Sequence, residues 1–335
     1  QGNNLKKNII IQSFDSVRKK PANLKEEDIL LFNHEIKKKF DPAYYLEVKD
    51  VTIVNQSIYK IKKLRFFSKY NYFYKPSTSR IFKDIIKNIF KTKKSNQILD
   101  KGIWVTDNKT SVYFHMLCDA LTRFIFLPDK IKKNYPIFLP AKYNLNWIIE
   151  ILSFLEIDYI LLDSEKKYII KNAIVTSYTA PSGNFHKETL LKLRKCFIDN
   201  KGVEKNKTYS SEKIWIDMSK HRRPVINIKE IEPILKKHGF KQVIFEDLNI
   251  LNKINLLQKT KVLAGSHSSG LTNMLFMNQG SKIIDIRDPG DNIKNAFFTM
   301  ASELDLEYFY MEREVNSQET VIDPSKLDLL LSTIE

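Results

Sequence analysis

A histidine and an aspartate stand four residues apart in the stretch YFHMLCDALTRF, residues 113–124. At that spacing, His115 and Asp119 are expected on one face of a helix. A carboxylate beside an imidazole can accept a proton at neutral pH, so this pair is a candidate general base. An ordinary helical ion pair or hydrogen bond has the same spacing, and the residues alone leave both interpretations open.

A second candidate site is the turn GSHSSGLTNMLFMNQG, residues 265–280, which lies between the apolar runs KVLA and KIIDI. It holds three of the chain's nine glycines, and we expect Gly265 and Gly270 to let the backbone turn tightly near a ligand. A helix that begins near Ser268 would direct main-chain N–H groups and its positive end at a phosphate. The side chains expected to add donors are those of Ser266, His267, Ser268, Ser269 and Thr272. In the alternative interpretation, Ser268 only caps a helix and the glycines only turn the chain.

A third candidate is the basic stretch MSKHRRP, residues 218–224, which follows an apolar strand. Lys220, His221, Arg222 and Arg223 could hold a diphosphate there, although a solvated basic loop has the same composition. The sequence contains no D-x-D motif, so we expect no metal ion and assign the charge of a diphosphate to these basic residues and to the helix end.

The net charge of +16 favours an anionic partner. Twelve Lys or Arg residues and a single acid lie between residues 59 and 94, and residues 80–91 have the pattern of a basic amphipathic helix. That helix could pack on the protein's own core, lie on an anionic membrane surface, or, as the third choice, bind nucleic acid. With two cysteines, no long apolar run and no signal-peptide pattern, we expect a cytosolic protein.

Strands and helices alternate along most of the chain, which predicts an α/β fold with parallel sheets. The predicted strands include residues 104–107, 213–217, 261–265 and 282–286, and residues 268–277 are predicted to be helical. A polar segment at 200–212 is the expected linker. The predicted domains are an N-terminal extension at 3–100 packed on the first domain, an acceptor-side domain at 101–205 and a donor-binding domain at 206–335. In open parallel sheets, ligands bind beyond the carboxyl ends of the strands.

Together the three stretches resemble glycosyltransferase family 61. The family's signature is similar to the stretch GSHSSGLTNMLFMNQGSKIIDI, so the expected donor contacts run on through Leu271 and Thr272. The family's His and Asp motif is similar to the stretch YFHMLCDALTRF. HRRPVIN is similar to its basic segment, although Met218 stands where the family usually has an arginine, so we expect Lys220 or Arg222 to replace it.

This resemblance implies a GT-B architecture, in which two Rossmann-like domains enclose a cleft. It also implies an inverting, metal-independent transfer from a nucleotide sugar, with Asp119 as general base and His115 beside it. A UDP-sugar is the expected donor, and no separate cofactor is expected. The expected acceptor is a bacterial surface glycan, free or lipid-linked, of capsule or lipopolysaccharide, and nucleic acid is not an expected partner.

Two other classes of protein remain open from the sequence. One is a non-catalytic basic α/β module that binds anionic glycan or nucleic acid. The other is a different transferase or a phosphate-ester enzyme on the same fold, because a fold alone does not determine function.

Overall fold

A computed structural model describes residues 5–60, 65–71, 77, 79, 83, 86, 95–204, 212–220, 224–314 and 319–334. Over these residues the protein is mixed α/β, as the sequence predicts. The chain divides into two compact units. The first unit comprises Gln1–Phe14 and Phe40–Ser182, and the second comprises Asp15–Lys39 and Gly183–Glu335. The predicted domain limits and the GT-B arrangement stay predictions.

The strands, in chain order, are β1 (Asn8–Ile11), β2 (Phe14–Val17), β3 (Lys37–Phe40), β4 (Ala43–Val54), β5 (Ser57–Lys60), β6 (Arg65–Phe66), β7 (Ser95–Trp104), β8 (Ile137–Pro140), β9 (Tyr159–Leu162), β10 (Lys166–Thr176), β11 (Glu212–Ile216), β12 (Phe240–Val243), β13 (Thr260–Ser266), β14 (Lys282–Arg287) and β15 (Glu307–Glu312). The helices are α1 (Ile29–Ile36), α2 (Ser68–Asn71), α3 (113–125), α4 (Asp129–Asn134), α5 (Asn146–Phe154), α6 (Lys187–Ile198), α7 (Ile228–Lys237), α8 (Ile250–Gln258), α9 (Ala296–Glu303) and α10 (Pro324–Ile334). Short 3-10 helices cover Glu26–Asp28, Ala141–Tyr143, Phe245–Asp247 and Ser269–Phe276.

The first unit is built on a mixed sheet with the strand order β6-β5-β4-β10-β7-β8-β9, in which β1 also pairs with β4. Strands β10, β7, β8 and β9 are parallel to one another, whereas β4 runs antiparallel to β10. Large apolar side chains from these strands, including Trp104, Phe138, Ile53 and Ile170, are buried in its core. Strands β4, β5 and β6, for which no secondary structure was predicted, therefore extend the parallel part of this sheet.

The second unit is built on a parallel sheet with the order β12-β11-β13-β14-β15. This is one of the common doubly wound orders, whose ligands bind where the order reverses, here between β11 and β13. One face of the sheet packs on α7 and α10 through Trp215, Leu235, Ile284 and Leu327. Gly239 has a φ of +75° and ends α7, as the sequence predicts.

The segment Asp15–Lys39 belongs to the second unit through a buried cluster of polar and aromatic contacts. The Arg18 guanidinium contacts the carboxylates of Glu303 at 3.3 Å and Glu35 at 3.0 Å. On α1, the Phe32 ring lies 5.1 Å from Phe298 and 4.9 Å from Tyr310. These contacts fix α1 and α9 on the second face of the parallel sheet.

None of the described helices is long and apolar enough to cross a membrane. Of the predicted basic helix at 80–91, the structure describes only Lys83 and Ile86, and the rest of that range lies outside the described residues.

Candidate functional site

Helix α3, which carries the first candidate pair, changes its geometry along its length. It is α-helical over Tyr113–His115 and Thr122–Ile125, and π-helical over Met116–Leu121. Asp119 lies in the π-helical turn, and such turns occur frequently at functional sites. The predicted helix is confirmed, whereas its π-helical turn was not predicted.

His115 and Asp119 contact each other, as their spacing predicts. Nδ1 of His115 lies 2.6 Å from Oδ2 of Asp119. Because an ionised carboxylate only accepts hydrogen bonds, Nδ1 carries the proton in this contact. The Ser182 hydroxyl donates to the same Oδ2 over 2.7 Å. One carboxylate oxygen therefore holds both an imidazole and a hydroxyl in place.

Asp119 is almost completely buried, with 3% of its surface exposed. Burial raises the pKa of its carboxyl group, and the hydrogen bonds from His115 and Ser182 oppose this rise. The carboxylate of Asp107 raises the pKa further. A raised pKa makes the carboxylate more basic than an aspartate in water, which suits a group that takes part in proton abstraction.

Several polar side chains near this pair were missed by the sequence prediction. Two of them, Tyr178 and Tyr143, donate their hydroxyls to the carboxylate and to the main-chain carbonyl of Asp107. The Arg123 guanidinium, on α3, lies 4.7 Å from the ring centroid of Tyr178 and donates to the carbonyl of Thr176 over 2.8 Å. These residues stand at or beyond the carboxyl ends of β7, β8 and β10, where open sheets bind ligands.

The position of Asp107 just after a strand could have been inferred from the residues around it. The predicted strand at 104–107 is wrong, because β7 ends at Trp104. The Thr110 hydroxyl accepts from the Asp107 N–H over 2.9 Å, and the Asp107 carboxylate accepts from the Lys109 N–H over 2.8 Å. Such local side-chain bonds turn the chain away from the sheet. Asp107 thus follows the strand instead of lying within it.

In the second unit, His267 is held by a carboxylate from the neighbouring strand. Its Nδ1 lies 2.8 Å from Oδ2 and 3.1 Å from Oδ1 of Asp285 on β14. The Tyr308 hydroxyl, on β15, donates to the same Oδ2 over 2.8 Å. Burial, followed by the nearby Asp285 charge, raises the pKa of Tyr308 well above its ordinary value. Tyr308 is therefore a neutral donor at physiological pH.

A pocket opens beside His267 at the carboxyl ends of four strands of the second unit. Its lining comprises Met218, Ser266, His267, Ser268, Ile286, Asp288, Lys294, Arg313 and Thr320. The Ser266 hydroxyl is buried in this lining and makes no hydrogen bond to any described residue. An unsatisfied buried hydroxyl costs about 1–3 kcal/mol, so it indicates a place where a polar ligand or water binds.

The turn at 265–280 differs from its prediction in two respects. The predicted helix at 268–277 is the 3-10 helix Ser269–Phe276, and the Ser268 side chain does not cap it. Neither Gly265 nor Gly270 has a positive φ. A Cβ added at Gly265 would lie 2.9 Å from the Ile216 Cβ, and one added at Gly270 would lie 3.0 Å from the Ile216 Cγ2. These glycines therefore allow close packing on β11 and are not required for a left-handed turn.

The other predicted donor-binding residues lie in different surroundings. Ser269 is partly exposed, whereas Leu271 and Thr272 are fully buried behind the turn. Lys220 is exposed and bonds both carboxylate oxygens of Asp247, at 2.6 and 2.7 Å. Arg222 and Arg223 lie outside the described residues. The role of all six in donor binding stays a prediction.

The pocket also contains three charged residues that the sequence prediction missed. They are Asp288, Lys294 and Arg313. Asp288 directly follows β14 and Arg313 directly follows β15, so the rule that ligands bind at carboxyl ends of strands would have singled out both. Over the described part of the chain, no group of three or more His, Cys, Asp or Glu side chains is placed to hold a metal ion.

Comparison with known proteins gives a family for the chain. No curated protein matches it. The family model described as Glycosyltransferase 61 matches residues 113–284. This match starts two residues before His115, ends at the residue before Asp285 and covers just over half of the chain. Because this match covers more than half of the chain, the chain belongs to glycosyltransferase family 61.

Proposed function

We propose that this glycosyltransferase moves a sugar, with inversion and without a metal ion, from a nucleotide sugar to a hydroxyl of a bacterial surface glycan. A UDP-sugar is the first candidate donor, and a capsule or lipopolysaccharide precursor is the first candidate acceptor. The observation that carries the proposal is the buried Asp119 carboxylate, bound to Nδ1 of His115 and to the Ser182 hydroxyl. This arrangement suits removal of a proton from an acceptor hydroxyl.

In the proposed reaction the acceptor hydroxyl loses its proton to the His115–Asp119 pair. Its oxygen forms a bond to the anomeric carbon from the face opposite the diphosphate, and the bond from that carbon to the diphosphate oxygen breaks. The departing negative charge is met by His267, by main-chain N–H groups around Ser268, and by basic side chains of the second unit.

The geometry favours a division of labour within the His115–Asp119 pair. Because Nδ1 of His115 bears the proton bound to Asp119, the nitrogen of the neutral imidazole that accepts a proton is Nε2. Asp119 is more deeply buried than His115, with side-chain exposures of 4% and 15%. We therefore assign proton acceptance to His115, and to Asp119 the stabilisation of the imidazolium that forms. This exchanges the roles that the sequence-based hypothesis assigned.

Two broader parts of the proposal concern architecture and location. The two units correspond to the acceptor and donor domains of a GT-B enzyme. The protein works in the cytoplasm, where the basic stretch at 80–91 associates with the inner face of the membrane. Stronger sedimentation with anionic than with neutral liposomes is the expected result, and equal sedimentation with both would contradict the membrane association.

A donor screen tests the function. The full chain is incubated with common nucleotide sugars and release of the nucleoside diphosphate is measured, while binding of UDP, GDP, CDP and ADP is titrated calorimetrically. We expect hydrolysis of one donor and a clear preference for the matching base. Uniformly weak binding with steep salt dependence would instead indicate an electrostatic binding module.

A matched control for the screen is Asp328→Asn. Asp328 also pairs with a histidine, since its Oδ1 lies 2.7 Å from Nε2 of His238, but it does not line the pocket. This variant is expected to retain the turnover of the unmodified protein.

A further inference from the structure

Two cationic side chains converge on one carboxylate in the pocket of the second unit. Nε of Arg313 donates to Oδ1 of Asp288 over 2.6 Å, and Nζ of Lys294 donates to Oδ2 over 2.8 Å. All three residues line the pocket together with His267 and Ser268. The two oxygens of Asp288 thus each bind a different cation, as two oxygens of a diphosphate could.

The backbone fixes the positions of this cluster. Strands β14 and β15 pair in parallel up to Arg287 and Glu312, and the Arg313 N–H continues the ladder by donating to the Arg287 carbonyl over 2.9 Å. The Arg287 guanidinium is buried and donates to the carbonyl of Asp291, which holds the loop leading to Lys294. The backbone of both cationic residues is therefore placed by the sheet and its loop.

Asp288 is the carboxylate that faces the pocket, whereas Asp291 is engaged by its own loop. The Asp291 Oδ1 accepts from the N–H groups of Ile293 and Lys294 over 2.8 and 3.0 Å, and its Oδ2 lies 3.2 Å from the Lys294 Nζ. The side-chain hydrogen bonds from Lys294 and from Arg313 lower the pKa of Asp288 to about 2. Asp288 is thus ionised throughout the physiological pH range, and any anion that enters the pocket meets its charge.

We propose that Asp288 is an internal counter-ion that competes with the diphosphate of the donor for Lys294 and Arg313. The inference rests on the proposed function, because it takes a nucleoside diphosphate sugar as the ligand. When the donor binds, its diphosphate oxygens replace Asp288 on the two cations. When the nucleoside diphosphate leaves, Asp288 returns to them. Asp288 therefore weakens binding and assists product release.

Calorimetric titration of the full chain at low salt tests the competition, with inorganic pyrophosphate and the preferred nucleoside diphosphate as probes. Asp288→Asn removes the competing charge and is expected to tighten both probes by about 3–10-fold. Lys294→Met is expected to weaken both by a similar factor. The corresponding nucleoside, which has no phosphate, is expected to bind all variants equally, and 1 M salt is expected to reduce the differences.

Asp328→Asn is again the matched control, because Asp328 bonds Lys237 at 2.8 Å and His238 at 2.7 Å outside the pocket. It is expected to leave both probe affinities unchanged, and thermal unfolding of each variant checks that the fold is retained. If Asp288→Asn binds both probes no more tightly than the unmodified chain, and the unmodified chain still prefers one diphosphate, only the competition is overturned. No binding of any diphosphate by the unmodified chain overturns both this inference and the proposed function.

Discussion

The two units each contain a histidine whose Nδ1 contacts a buried aspartate. In the first pair, His115–Asp119, the two atoms are 2.6 Å apart, and in the second pair, His267–Asp285, they are 2.8 Å apart. In both pairs a hydroxyl donates to the same carboxylate oxygen that the imidazole contacts. The same three-group arrangement therefore occurs once in each unit.

The pairs differ in their electrostatic surroundings. Asp119 lies near a second carboxylate, Asp107, which raises its pKa. His267 instead lines a pocket that contains two cations, Lys294 and Arg313, and one carboxylate, Asp288. Negative surroundings favour uptake of a proton, whereas positive surroundings favour binding of an anion. Under the proposed function, the same arrangement therefore has two roles, which differ because its neighbours differ: proton transfer in the first unit and charge stabilisation in the second.

The largest effect is expected from Asp119→Asn in the first pair. The imidazolium that forms on His115 would lose its counter-charge, so kcat should fall by about 10²–10⁴. Affinity for the nucleoside diphosphate should stay unchanged, because the pocket proposed to bind the donor belongs to the second unit. Steady-state kinetics and calorimetric titration measure the two quantities.

The partner variant His115→Ala sharpens this result. If the pair works as a unit, His115→Ala should lose as much activity as Asp119→Asn, and the double variant should lose little more. Additive losses would show that the two residues act independently. Near-normal turnover of Asp119→Asn would exclude the proposed role of the first pair.

A smaller effect, of a different kind, is expected from Asp285→Asn in the second pair. Without the Asp285 carboxylate, His267 would no longer be held in place to contact the diphosphate. A hydrogen bond to a charged group contributes about 1.5–3 kcal/mol, so nucleoside diphosphate binding should weaken by about 10–100-fold. The donor KM should rise accordingly, as measured by kinetics and titration. A fall in kcat with unchanged affinity would contradict the division of tasks between the two pairs.

The smallest effect is expected from Ser182→Ala, and it is measured in the pH profile of kcat/KM. The Ser182 hydroxyl stabilises the charged carboxylate of Asp119 and lowers its pKa. Its loss should raise the apparent pKa of the first pair and move the acid limb of the profile to higher pH by about 0.5–1 unit. Tyr308→Phe, the equivalent change in the second pair, should leave that limb in place. A shift of the acid limb in both variants would contradict the assignment of proton transfer to the first pair alone.

The first pair could be predicted because its contact is local. Four residues separate His115 from Asp119, and helical periodicity alone brings them together. The carboxyl ends of the strands in the second unit were predictable for a similar reason, since the largely apolar stretches KVLAG and KIIDI were predicted as strands.

The second pair depends on long-range register, which a single sequence does not contain. Asp285 reaches His267 because β13 and β14 pair with Gly265 opposite Asp285. Tyr308 joins them from β15, where it stands opposite Ile283. Local periodicity also gave no sign that residues 116–121 are π-helical or that Ser269–Phe276 is a 3-10 helix, because the apolar spacings of these helices overlap with those of an α-helix. The need for Gly265 likewise comes from Ile216, which lies on another strand.

The segment Asp15–Lys39 carries a consequence for how the chain acquires its structure during translation. Arg18 and Phe32 emerge from the ribosome early, but Glu303 and Phe298, which they contact in the second unit, are made more than 260 residues later. Until then a cationic side chain and an aromatic helix face have no native burial site, which exposes the nascent chain to misfolding and aggregation. A fragment that starts at Gly183 would lack α1 and the Arg18 contacts, so an isolated second unit requires residues 15–39 to be supplied, by co-expression or by circular permutation.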